Sequence, residues 1–152
     1  MKQVFRKLGD HTPVDLISYI KNIISNSSNV KIYVGSDSQN AGLVTIYATV
    51  IVLHYGNNGA HVLYNREKVE RVRDTYARLW DEVERSLSVA EHMHNEGLPR
   101  ADYIDLDFNP DPIYRSNSVL RSAVGYVESM GYTPRTKPFA AAASTCADAI
   151  CH

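Results

Sequence analysis

The carboxylates of this 152-residue chain fall where metal-assisted chemistry would need them. Asp37 stands in Tyr33-Val34-Gly35-Ser36-Asp37-Ser38-Gln39, at the close of a β-rich run. Asp105 and Asp107 are two apart, a spacing that puts both on one face of a strand. Asp81, Glu82 and Glu84 lie in the middle of a long amphipathic stretch, and Asp148 lies in Ala147-Asp148-Ala149 near the end. Carboxylates brought close together repel one another unless they are protonated or bound to cations. An oxygen-only set selects Mg²⁺, Mn²⁺ or Ca²⁺ over zinc. Taken singly, each acid has the plain reading of a solvated turn or cap residue. The site reading therefore rests on the elements that would gather them.

Those elements follow from periodicity and punctuation. Thr12 caps, Pro13 starts and Asp15 supports a first helix over about 12–25, carrying Val14, Ile17, Ile20, Ile23 and Ile24. Three strands follow: Val30 to Ser36, Leu43 to His54, and His61 to Asn65 after Asn57-Asn58-Gly59. Short Gly- and Asn-containing connections make them an antiparallel meander. A long helix over roughly Val69 to Glu96 presents Val72, Tyr76, Leu79, Trp80, Val83 and Leu87 as one stripe, and Gly97 with Pro99 stops it. Tyr103 to Phe108 reads as a strand. A helix capped by Ser116 or Asn117, a short strand near Tyr132 to Pro138 and a last helix from about Ala141 complete the chain. The order α-βββ-α-β-α-β-α implies one α/β domain over 1–152, with a mixed five-stranded sheet and its last strands parallel to the first. In such a sheet, ligands bind beyond the carboxyl ends of parallel strands. Asp37 and Asp107 become neighbours there if the first and fourth strands pair.

The segment Lys31-Ile32-Tyr33-Val34-Gly35-Ser36-Asp37-Ser38-Gln39 resembles the opening strand of the ribonuclease H-like superfamily, and more closely the YkuK-type ribonuclease H-like family. The similarity continues through Arg78-Leu79-Trp80-Asp81-Glu82-Val83-Glu84-Arg85-Ser86-Leu87 and Asp105-Leu106-Asp107-Phe108-Asn109. It resumes at Tyr114-Arg115-Ser116-Asn117, Gly125-Tyr126-Val127, Gly131-Tyr132, Lys137-Pro138 and Ala147-Asp148. The resemblance implies a ribonuclease H-like fold and a metal-binding set of Asp37, Asp107, Asp148 and, in the long helix, Glu82. Helical geometry alone leaves that helix residue open, because Glu82 lies about 60° from Leu79 and Glu84 about 40° from Trp80 on opposite flanks of the stripe. Asp105 is an extra acid, either supporting Asp107 or competing for its role. The resemblance implies two Mg²⁺ or Mn²⁺ ions and nucleic-acid phosphodiester hydrolysis.

Asn109, Asn117 and Lys137 follow as candidate substrate contacts, Lys137 as a point charge for a phosphate. Many ribonucleases H place a mobile histidine just before the last carboxylate. Phe139 to Ala147 contains none, whereas His152 shares a helix face with Asp148 if the last helix persists. Arg66, Lys68, Arg71, Arg73 and Arg78 cluster, interleaved with Glu67, Glu70 and Asp74, as a salt-bridged surface does. No histidine is positioned to activate Ser36 or Ser38, and there is no Walker A loop or Gly-x-Gly-x-x-Gly. Cys146 and Cys151 fit neither a redox CxxC nor a structural zinc site, which suits reduced thiols in the cytoplasm. No apolar run reaches membrane-span length.

With 16 Lys+Arg against 17 Asp+Glu, the chain is no basic nucleic-acid sleeve. Two bound divalent ions would reverse that sign, so nucleic-acid binding should depend on the metal. The expectation is a divalent-metal-dependent nuclease acting on an RNA–DNA hybrid, RNA or structured DNA. Its rival is a non-catalytic ribonuclease H-like binding module.

Overall fold

The computed structural model describes residues 3–55, 59–106 and 117–136, with side chains from 119 in the last segment. Its elements run β1 (Phe5–Lys7), β2 (Pro13–Val14), α1 (Leu16–Asn26), β3 (Val30–Ala41), β4 (Val44–Tyr55), β5 (Ala60–Glu70), α2 (Thr75–Asn95), β6 (Tyr103–Leu106), α3 (Asn117–Ser129) and β7 (Pro134–Thr136). The strands form one mixed sheet in the order β2-β1-β5-β4-β3-β6-β7. The meander β3-β4-β5 is antiparallel, and β6 and β7 add in parallel, with Tyr33, Val34 and Gly35 opposite Tyr103, Ile104 and Asp105. Pairing of the first and fourth predicted strands is therefore present.

β-branched and aromatic residues dominate the twelve positions of β4, which suits a central strand paired on both sides. The β3–β4 ladder is unbroken from Val30↔Tyr55 to Ala41↔Val44, and Gly42 at φ 60° makes the tight turn between them. One face of the sheet carries Ile32, Val34, Ile51, Leu53, Leu63, Ile104 and Leu106. These pack against Ile20 and Ile23 of α1, Val83, Leu87 and Met93 of α2, and Val119, Ala123 and Val127 of α3. All three described helices thus share one face. Ala48, Val50 and Val52, with Tyr33, Val62 and Tyr64 around them, form a separate cluster on the other.

Four expectations change. The sheet has seven strands rather than five, because two short N-terminal strands extend it beyond β5. Pro13 and Val14 pair with β1 instead of opening a helix; at the outer edge the missing proline N–H breaks no ladder bond. The first helix then starts at Leu16, with Asp15 at its cap position. β3 and β5 run past Ser36 and Asn65 to Ala41 and Glu70, so Asp37 is within a strand and Val69 belongs to β5. The long helix consequently begins at Thr75, where the Asp74 side chain accepts from the Tyr76 backbone N–H at 2.9 Å.

Candidate active site

On the helix side of β3 the side chains change character along the strand. Ile32 and Val34 are core residues, whereas Ser36, Ser38 and Asn40 are polar. Ser36 Oγ lies 2.7 Å from Ser86 Oγ and 3.3 Å from Thr49 Oγ1, tying α2 to β3 and β4. One helical turn earlier, the Ser38 hydroxyl donates to Glu82 Oε2 at 2.5 Å. Arg78 Nη1 donates to the Ser38 carbonyl and hydroxyl oxygens at 3.3 and 3.4 Å, while its buried Nε has no hydrogen-bond partner among the described residues. The Tyr47 hydroxyl donates to Asp81 at 2.6 Å. Burial first, and then that carboxylate, pushes the Tyr47 hydroxyl pKa up. Arg85 lies 4.1 Å above the Tyr47 ring and is paired with Glu67.

This seam separates the two helix carboxylates that the sequence leaves open. Glu82 is 5% exposed and faces the sheet. Glu84 is exposed, and its hydrogen bond to Tyr126 raises that hydroxyl's pKa. Two positions around a helix turn the side chain by about 200°, so the two cannot face the same strand.

The opposite side of β3 carries Tyr33, Gly35, Asp37 and Gln39 by strand alternation. Asp37 is half-buried and stands in register with Ala48 of β4, which in turn opposes Arg66 of β5. On the other flank, Gly35 opposes Asp105, and Asp105 opposes Arg135 of β7. Asp105 is 2% exposed and receives a forked pair of bonds from Arg135, at 2.9 Å from Nε and 3.0 Å from Nη2. The Tyr33 and Tyr103 rings stack 12° from parallel with centroids 5.5 Å apart, and the Arg135 guanidinium carbon is 4.5 and 4.7 Å from them.

The structure therefore brings Glu82 to Ser38, the neighbour of Asp37, and sets Asp37 and Asp105 on the other face. Asp107, Asn109, Ser116, Lys137, Asp148, His152 and both cysteines lie outside the described residues. Asn117 is the first residue of α3. Among the described residues no three His, Cys, Asp or Glu side chains gather as a metal site. The basic cluster divides: Arg66 and Lys68 are exposed on the Asp37 face, Glu67 turns to Arg85 on the helix face, and Arg78 sits against Ser38. Sequence reasoning did not single out Arg135, and Ser38 figured only as a poor nucleophile. Neither carries a local signal, since their partners lie 30 and 44 residues away.

Residues 15–152 match the family described as Ribonuclease H-like. The chain belongs to that family. No curated protein matches it. Among solved structures, the ribonuclease H-like chain is similar to RNase H1 from the halophilic archaeon Halobacterium salinarum NRC-1, with 17% identity and a TM-score of 0.39, covering 79% of this chain and 98% of that one. At that level of superposition the likeness adds nothing to the family assignment. No helix among the described residues is long and apolar enough to cross a membrane.

Proposed function

We propose that this ribonuclease H-like chain, in a YkuK-type branch on the residues given above, is a cytoplasmic divalent-metal-dependent nuclease. The observation that carries the reading is the Ser38–Glu82 contact, which delivers the α2 carboxylate to the strand residue beside Asp37. Among the described strands, β6 ends at Leu106 and its ladder with β3 at Gly35, so from Asp37 onward β3 is paired only with β4. Beyond the last described β3–β6 pair, a group from the helix face and one from the opposite face can approach one point.

Asp37 and Glu82 offer only oxygen, the donor chemistry of Mg²⁺ and Mn²⁺. In this reading Asp37, Glu82, Asp107 and Asp148 hold two such ions. When bound, the ions lower the pKa of an attacking water and stabilise the leaving 3′ oxygen. Ser38 keeps the Glu82 carboxylate aimed at the strand, and Arg78, one turn earlier in α2, also bonds Ser38. Asn109, Asn117 and Lys137 contact the substrate strand, and an RNA–DNA hybrid is the first substrate to test. Cleavage of a labelled panel of hybrid, single-stranded RNA and branched DNA with Mg²⁺ or Mn²⁺ tests the reading. Wild type should cut at least one member, and Asp37→Asn should cut none; equal cleavage by both sinks the site.

One observation favours a non-catalytic nucleic-acid- or protein-binding module instead. Asp37 and Glu82 approach β3 from opposite faces, and the buried Asp105 is engaged by Arg135. Calorimetry separates the readings: heat of Mn²⁺ binding that vanishes in Asp37→Asn supports the nuclease, and its absence in wild type supports the module.

A further inference from the structure

Arg135 is unlike the other cations on the Asp37 face. Arg66 and Lys68 are exposed side chains of β5, free to sample many rotamers. Arg135 is held on three sides: two nitrogens bond the carboxylate of Asp105, and two tyrosine ring centroids lie 4.5 and 4.7 Å from its guanidinium carbon. The Asp105 side chain is 0% exposed and that of Arg135 is 22% exposed. A buried ion pair of this kind adds little to stability over well-packed apolar residues of the same volume. What it provides is a guanidinium fixed before any ligand arrives.

The fork to Asp105 uses Nε and Nη2, which leaves Nη1 with no hydrogen-bond partner among the described residues. Tyr33 and Tyr103 likewise have no hydroxyl hydrogen bond among the described residues. This donor edge belongs to the row Gly35–Asp105–Arg135, and Asp37 lies two residues along β3 from Gly35, about 7 Å away. On the opposite flank, Arg66 stands two strands from Asp37, about 10 Å across the sheet. A chain of phosphates laid over Asp37 would therefore meet fixed donors on one side and loose positive charge on the other.

We infer that Arg135 is a phosphate-binding residue, its Nη1 edge gripping a phosphodiester of a nucleic-acid strand that crosses the sheet face beside Asp37. Asp105 and the Tyr33–Tyr103 pair are its positioning residues. The inference rests on the nucleic-acid reading above but needs no turnover. Guanidinium suits the role because its planar fork can serve a carboxylate and a phosphate oxygen at once, which an ammonium cannot do with the same geometry.

The test is fluorescence-anisotropy titration of a labelled RNA–DNA hybrid in Ca²⁺, over a salt series, with thermal melting of each variant. The doubly neutral variant Asp105→Asn/Arg135→Gln keeps a hydrogen-bonded pair while removing both charges. It should bind about tenfold more weakly, the value of one charge-assisted contact. Its salt slope should be shallower by about 0.7 to 0.9, which is one phosphate contact. Arg135→Lys keeps the charge and loses the fork, so it should lose affinity while retaining the slope; it decides the matter if the double variant does not fold. Wild-type affinity and slope in both variants overturn the inference, as does a wild type that binds no hybrid. Binding lost in the double variant, with no cleavage by wild type in Mg²⁺ or Mn²⁺, upholds Arg135 and refutes the nuclease. Cleavage with an unchanged slope does the reverse.

Discussion

Two buried carboxylates flank β3, and they are held in different ways. Asp105, at 2% exposure, meets through a fork a guanidinium that itself lies against two tyrosine rings. Glu82, at 5%, meets the hydroxyl of Ser38. A guanidinium is permanently charged and matches a carboxylate in shape, so that pairing is set for the life of the fold. A hydroxyl is a neutral partner that donates a single proton and does not match a carboxylate in charge. On the proposed reading the two acids do different work: Asp105 fixes the Arg135 guanidinium, and Glu82 would bind a metal ion.

The largest effect should come from breaking the fixed pair. Arg135→Ala removes the forked guanidinium from a fully buried Asp105 and should destabilise the fold by about 3 kcal/mol in urea titration. Glu82→Gln, by contrast, keeps the size and the hydrogen bond to Ser38. Its stability should stay within about 1 kcal/mol of wild type, while Mn²⁺ affinity by calorimetry falls at least about tenfold. If the two substitutions give the same stability loss, the distinction between the acids is wrong. Ser38→Ala lies between them, since it removes a hydrogen bond to a charged group. It should lower stability by about 1.5–3 kcal/mol and weaken Mn²⁺ binding through loss of the Glu82 orientation.

The smallest effect concerns pH, and it sharpens the contrast from the hydroxyl side. Tyr132 donates to Glu91 at 2.6 Å, and burial followed by that carboxylate raises its pKa above the ordinary value near 10. A group whose folded pKa is raised contributes stability in full below its unfolded pKa and loses it as pH climbs toward the folded one. Melting temperatures followed upward from about pH 9 should therefore fall past pH 10, and the fall should be shallower in Tyr132→Phe.

Much of the central fold was legible because its signals are local. The Thr/Tyr alternation in β4, the Leu79–Trp80–Val83–Leu87 stripe in α2 and the Gly97 stop each act over a few residues. The short strands β1 and β2 were not, since two or three residues carry no period, and Thr12-Pro13 has the same chemistry as a helix start. Val69 fits both a helical stripe and strand alternation, and pairing of Thr45 with Val69 decided for the strand. Within the site, the choice of Glu82 over Glu84 needed the sheet to be present. The grip of Arg135 on Asp105 needed two parallel strands brought side by side, which no spacing in the sequence announces.

The outermost described strands, β2 and β7, both contain proline: Pro13 at one edge and Pro134 at the other. An exposed strand edge is a template on which another molecule's backbone can add, and a proline there offers no N–H for the incoming chain. Described edges built this way resist the addition of a further strand that would start a fibril. Replacing Pro13 and Pro134 with valine would leave the interior unaltered, yet concentrated or partly unfolded protein should become more prone to assemble edge to edge.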